Sequence, residues 1–263
     1  MPKDASPLLP FAFAALAGAV AIGFVFADAA AARRLGSDGR KARQIALRTG
    51  LGAVVWMSLT GVAAASGALA RFDAKPPPLL VLFVGVVALS FVVGLSRVGE
   101  RLALGLPIAV LVGVQSFRLA LELVMHRAAQ EGVMPMQMTF SGWNFDIVTG
   151  ATAIAVATLA WLRLAPRALI IAWNVLGIAL LATILVLALI STPAIHAFGQ
   201  DPRKVNTFVA YFPFVWLPSV LVPAAMIGHI VLTRRLATPF GGAADKRHAP
   251  TSKSLVVTGR KTL

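Results

Sequence analysis

The chain contains no cysteine, which excludes disulfides, thiolate catalysis, iron–sulfur clusters and Cys-ligated zinc. Charge is scarce too: 13% of the residues are Asp, Glu, Lys or Arg, about half of what a soluble domain carries. No lysine falls inside any long apolar run, so a retinal Schiff base has no amine to form on. No HExxH zinc helix, GxSxG elbow, phosphate-cradling P-loop or paired-aspartate prenyltransferase motif occurs. The chain therefore carries no catalytic signature, and a non-enzymatic role is the first expectation.

What is present is apolar surface, at 58% of the 263 residues with a mean hydropathy of +0.83. The few charges punctuate the apolar runs and hardly enter them. A bilayer imposes that pattern, because inside it each backbone polar group must be satisfied within a helix. The expected fold is an all-α integral membrane protein with a seven-transmembrane-helix bundle over 1–236. Runs near the roughly 20 residues needed to cross lipid fall at 8–32, 47–69, 79–95, 102–125, 144–162, 168–190 and 208–232. The remainder, 237–263, is rich in Gly, Pro, Ser, Thr and basic residues and reads as a disordered cytoplasmic tail.

Orientation follows from the basic residues, which are retained on the cytoplasmic side. One set of loops and termini, including Arg33, Arg34, Arg40, Lys41, Arg43 and the tail, holds 17 Lys and Arg. The opposite set holds six, and Arg118 lies inside a span. The N-terminus is thus expected outside and the C-terminus in the cytoplasm. Ala27-Asp28-Ala29 resembles a signal-peptide cleavage site, but its apolar run is too long and cleavage would strand five basic residues outside. The net charge of +14 does not indicate a nucleic-acid binder, since the basic residues sit at span ends and form no groove. Membrane lipids, with anionic inner-leaflet lipid at the basic loops and tail, are the expected partners. Arginine in excess of lysine and abundant alanine point to a GC-rich bacterial genome, and hence to a bacterial inner membrane.

The fourth run is interrupted by Gln115, Arg118, Glu122 and His126. At 100° per residue these fall within an arc of about 80°, one face of a helix. Ionisable groups in a span are costly and usually face the bundle interior. Asn144 and Asp146 enter the fifth run from the outside, where either could cap its helix. Together these six residues form the expected ligand-binding site, with Arg118 as a cationic anchor for a small polar or anionic molecule taken from the periplasmic side. An ion pair that only fixes helix packing is the alternative. Pro213, Pro218 and Pro223 recur every five residues in the last run and are candidate hinges for transport or sensing.

Other features compete. Met134, Met136 and Met138 are weak candidates for Cu(I), or else adaptable filler at the bundle mouth. His229 falls toward the cytoplasmic end of the last run, where Asn174 and Asp28 could meet it. His126 falls toward the opposite face, so bis-histidine haem is not expected, and no cofactor is. A membrane-embedded enzyme acting on a lipid or quinone through Glu122, His126 or Asp146, and a structural subunit of a membrane complex, are the other functional classes left open.

Overall fold

The computed structural model describes residues 6–238, and among them every regular element is helical. The α-helices are α1 (Leu8–Arg34), α2 (Gly39–Ala65), α3 (Pro78–Leu95), α4 (Arg97–Gly105), α5 (Ile108–Gly113), α6 (Phe117–Gln130), α7 (Ile147–Trp161), α8 (Arg167–Ile190) and α9 (Val222–Ala237). Six stretches are long and apolar enough to cross a membrane: α1, α2, α3, Ile108–Gln130, α8 and Leu217–Ala237. The remaining apolar helix, α7, has 15 residues, or roughly 22 Å, against a hydrocarbon core of about 30 Å. The tail expected from 237 onward lies, beyond Thr238, outside the described residues.

Burial has the polarity a lipid solvent demands. Asp28, Gln115, Arg118, Glu122, Asn144, Asp146, Asn174 and His229 are buried, while Phe11, Phe26, Leu51, Val84, Val92 and Trp161 are strongly exposed. Outward apolar side chains on this scale would drive association in water, whereas lipid tails accommodate them.

Local chemistry sets the ends of the helices. After α1, Gly36 turns the chain at φ +89°, and Ser37 N–H donates to Ala32 C=O at 3.0 Å, closing a Schellman motif. Asp38 then caps α2 by accepting Lys41 N–H at 2.7 Å. Ser96 caps α4 through Val98 N–H at 3.0 Å.

Three spans differ from the hydropathy reading. The second helix starts at Gly39, eight residues before the apolar run 47–69, and ends at Ala65. The run 102–125 is broken: α4 ends at Gly105, Leu106 is extended, and the membrane helix begins after Pro107 and continues to Gln130. Proline lacks the N–H that a continuing helix would use, and it disfavours helical backbone in the preceding residue. The last run begins later than 208. Phe208–Ala210 forms a short 3-10 turn, Leu217–Leu221 a π-turn around Pro218, and α9 follows to Ala237. Arg118 is therefore the eleventh of 23 residues in its span and His229 the thirteenth of 21 in its own, so both sit near mid-helix.

α9 packs on α3, α4 and α8, and α7 packs on α5 and α6. One apolar cluster gathers Phe13, Met125, Met138, Phe208 and Phe214; the other gathers Ala31, Leu102, Trp173, Leu232 and Leu236. The buried charges lie at the seam between them. Close approach there depends on missing side chains. A Cβ on Gly150 of α7 would run into the backbone of Leu119, with the Arg118 carbonyl carbon 2.9 Å away, and one on Gly177 of α8 would strike the His229 ring.

Gly150→Ala is expected to destabilise the fold by about 1–3 kcal/mol, the usual range for overpacking. Gly18→Ala, where an added methyl meets nothing within 4 Å, should not. Thermal unfolding in detergent distinguishes the two. Equal melting temperatures for both variants would contradict the close packing of α7 on α6.

Candidate functional site

Arg118 occupies the centre of the seam and is 1% exposed. Its guanidinium grips Asp146 with two bonds, Nε donating to Oδ2 at 2.6 Å and Nη2 to Oδ1. Nη1 donates to His229 Nε2 at 2.7 Å, and Nη2 also reaches the Gly177 carbonyl at 3.5 Å. A guanidinium can only donate. His229 Nε2 must then accept, which leaves the imidazole neutral with its proton on Nδ1. That proton goes to Asn174 Oδ1 at 2.8 Å. Asn174 Nδ2 donates to Thr233 Oγ1 at 2.8 Å, and Thr233 Oγ1 donates to the His229 carbonyl at 2.9 Å. One cation thus fixes the polarity of a chain of bonds running from α6 to α8 and α9.

The second carboxylate is held by the loop before α7. Asn144 Nδ2 donates to Glu122 Oε1 at 2.6 Å and to the Met138 carbonyl at 3.1 Å, while Asn144 Oδ1 accepts the Asp146 N–H at 3.1 Å. This Asn-mediated turn sets Asp146 under Arg118 and Glu122 beside it. Glu122 Oε2, fully buried, has no hydrogen-bond partner. Glu122 is also part of the lining of a cavity of about 40 Å³, together with Arg118, Asp146 and apolar groups such as Phe117, Met138 and Leu221. A water needs roughly 10–15 Å³ on this measure, and metabolite pockets run to about 300–1,000 Å³. The space admits water or a few-atom species.

The charges do not balance internally. One fixed cation faces two carboxyl groups, and His229 is neutral by its bonding. An uncompensated charge in this setting is costly.

Of the residues singled out by sequence, Arg118, Glu122, Asn144 and Asp146 are brought together directly. Gln115 lies a turn below, its Nε2 donating to the Ala225 carbonyl at 3.1 Å, against Gly228. His126 stands apart: half-buried near the C-terminal end of α6, it stacks on Phe140 at 4.4 Å and contacts Gln130 and Ser141. His229 corrects the sequence reading in the other direction. It meets Arg118 at mid-span, while Asp28 is taken by Arg101 (2.6 and 2.8 Å) and Thr49 (2.7 Å). The available signal was the pair of polar residues His229 and Thr233 at i,i+4 in an apolar helix. Met134 and Met138 are buried in the apolar cluster that holds Phe13 and Phe214, and Met136 is exposed. Among the described residues no three His, Asp or Glu side chains converge as a metal site. Outside the spans, Glu131 is held below the usual carboxylate range by the Ser6 N–H and by Arg127, which ties the start of α1 to the end of α6.

The prolines act through the carbonyls they free. Pro223 leaves the Ser219 carbonyl without its helical partner, and Trp56 Nε1 of α2 donates to it at 2.7 Å. Pro218 forms part of the cavity wall, and Pro213 lies before the π-turn.

Comparison of the chain with known families, curated proteins and solved structures finds none that matches.

Asp146→Asn is expected to cost about 3–5 kcal/mol of stability, the range for stranding one member of a buried ion pair. Combining it with Arg118→Gln should cost clearly less than the sum of the two single changes. Additive losses in detergent unfolding would show that the two groups do not interact.

Proposed function

We propose that this is a seven-span protein of a bacterial inner membrane, N-terminus outside and C-terminus in the cytoplasm, whose buried Arg118–Asp146–Glu122 cluster binds a proton in the service of transporting or sensing a small polar or anionic molecule. The observation that carries the reading is Glu122 Oε2, buried and unpartnered, in a residue that lines a small cavity beside a fixed cation. A purely structural ion pair has no use for a second carboxylate that leaves the cluster one charge out of balance. With about 40 Å³ available, the cluster is closed to anything larger than a few atoms in this conformation. A larger anion would reach Arg118 only by displacing Asp146, and a proton on that carboxylate would weaken the grip it must displace. Proton binding and anion binding at Arg118 are thereby linked. α7 counts as the seventh span here, its short helix extended outward by the folded segment from Asn144. The Pro-bearing segment ahead of α9 remains the proposed hinge, since Pro218 lines the cavity.

Infrared spectroscopy at neutral pH tests the proton. The carbonyl stretch of a buried protonated carboxylic acid should be present in the wild type and lost in Glu122→Gln or in Asp146→Asn, but kept in Glu100→Gln. Its absence from the wild type, or its survival in both cluster variants, removes the reading. Topology has its own measurement. In a chain free of cysteine, Ser141→Cys should react with an impermeant thiol reagent added outside intact cells, and Ser37→Cys should react only after lysis. The reverse pattern would invert the orientation.

A further inference from the structure

A second, larger cavity lies on the other side of the segment that walls the Glu122 cavity. It occupies about 650 Å³ between α1, α2, α3, α4 and α9, and it is lined by apolar side chains along almost its whole length, among them Val20, Phe24, Trp56 and Val93. Apart from Trp56 and Ser219, its polar groups are Arg48 and Thr49 of α2 and Arg101 of α4, and Thr49 and Arg101 both bond Asp28. Arg101 holds Asp28 but keeps its side chain 22% exposed. Arg48 is exposed and makes no hydrogen bond or ion pair among the described residues. Both arginines belong to the end of the bundle where Arg33, Arg34, Arg40, Lys41 and Arg43 also cluster.

We propose that this groove is a binding site for one anionic phospholipid of the leaflet on the basic side, its phosphate between Arg48 and Arg101 and an acyl chain along the apolar length toward Trp56. Three features select this occupant. The length of the groove is apolar, which a free phosphate or a soluble metabolite would leave unused. Its mouth is cationic, with one guanidinium left unpaired, which a neutral lipid would leave unused. The volume falls within the roughly 300–1,000 Å³ range of ligand sites, room for a chain but not for another helix. The inference rests on the membrane reading and not on the proton site.

The groove also touches the hinge. Ser219, Val220, Pro223 and Ala224 face it, while Pro218, Leu221 and Val222 face the Glu122 cavity. A bound chain therefore packs against the same irregular turn whose other side closes on the buried charges.

Native mass spectrometry of the delipidated full-length protein tests the site with phosphatidylglycerol and phosphatidylcholine as probes and inorganic phosphate as competitor. One phosphatidylglycerol per chain should be retained over phosphatidylcholine by roughly fivefold for each arginine that contacts the phosphate. Arg48→Gln, at an exposed position outside any ion pair, should remove about one such factor. Gly52→Leu fills the groove where an added Cβ meets nothing within 4 Å, and it should weaken both lipids without affecting the fold. Equal retention of the two lipids by the wild type overturns the proposal. So does indifference to Gly52→Leu, or displacement of the lipid by inorganic phosphate, which would mark a simple anion site.

Discussion

A guanidinium enclosed in a bundle of apolar helices dictates the arrangement of everything around it. Arg118 has five N–H groups and no way to shed its charge, so each neighbour must present an acceptor. Asp146 supplies two, His229 one and the Gly177 carbonyl another. Those partners come from the start of α7, from α9 and from α8. Meeting the demands of one side chain therefore fixes the register of four helices. The glycines follow from the same demand: Gly150 and Gly177 remove the side chains that would hold α7 and α8 away from the charged layer. Such a pair adds little net stability once desolvation is counted; what it supplies here is a single allowed arrangement of the helices.

Specification alone would end with Arg118 and Asp146. Glu122 adds a second carboxylate that shares Asn144 with the Asp146 loop and leaves one oxygen without a partner in a residue that lines a small space. The wall of that space is the most irregular part of the last span, where Pro218 and Pro223 force a π-turn before regular helix resumes. Trp56 takes the carbonyl that Pro223 frees, so α2 and the groove behind it contact the same turn. A charged layer, an irregular turn and a largely apolar groove lie in series.

Much of this was legible in the residues, for a simple reason. Polar groups in apolar runs are few, so Arg118, Glu122, Asn144 and Asp146 stand out, and helical spacing places Gln115, Arg118, Glu122 and His126 on one side of their helix. Spacing around an axis says nothing of distance along it: His126 shares the arc with Arg118 but lies eight residues on, about 12 Å, near the C-terminal end of α6. Helix boundaries were harder to read, because Leu102–Leu106 is as apolar as the span that follows and only Pro107 marks the break. The same blindness hid the depth of His229. Aromatic Phe208 resembles the start of a membrane helix, and starting there makes His229 the twenty-second residue of its run instead of the thirteenth of its span.

The protonation of His229 is the point at which this account is most exposed, because it follows only if Arg118 points inward and donates to Nε2. Nitrogen-15 magic-angle-spinning NMR of histidine-labelled protein in lipid bilayers, with His229→Gln for assignment, reads it directly. The account predicts a neutral ring at neutral pH, protonated at Nδ1 and bare at Nε2, that loses this signature in Arg118→Gln. An imidazolium, or a ring protonated at Nε2, would mean that the guanidinium does not meet His229 and that the charged layer is built differently.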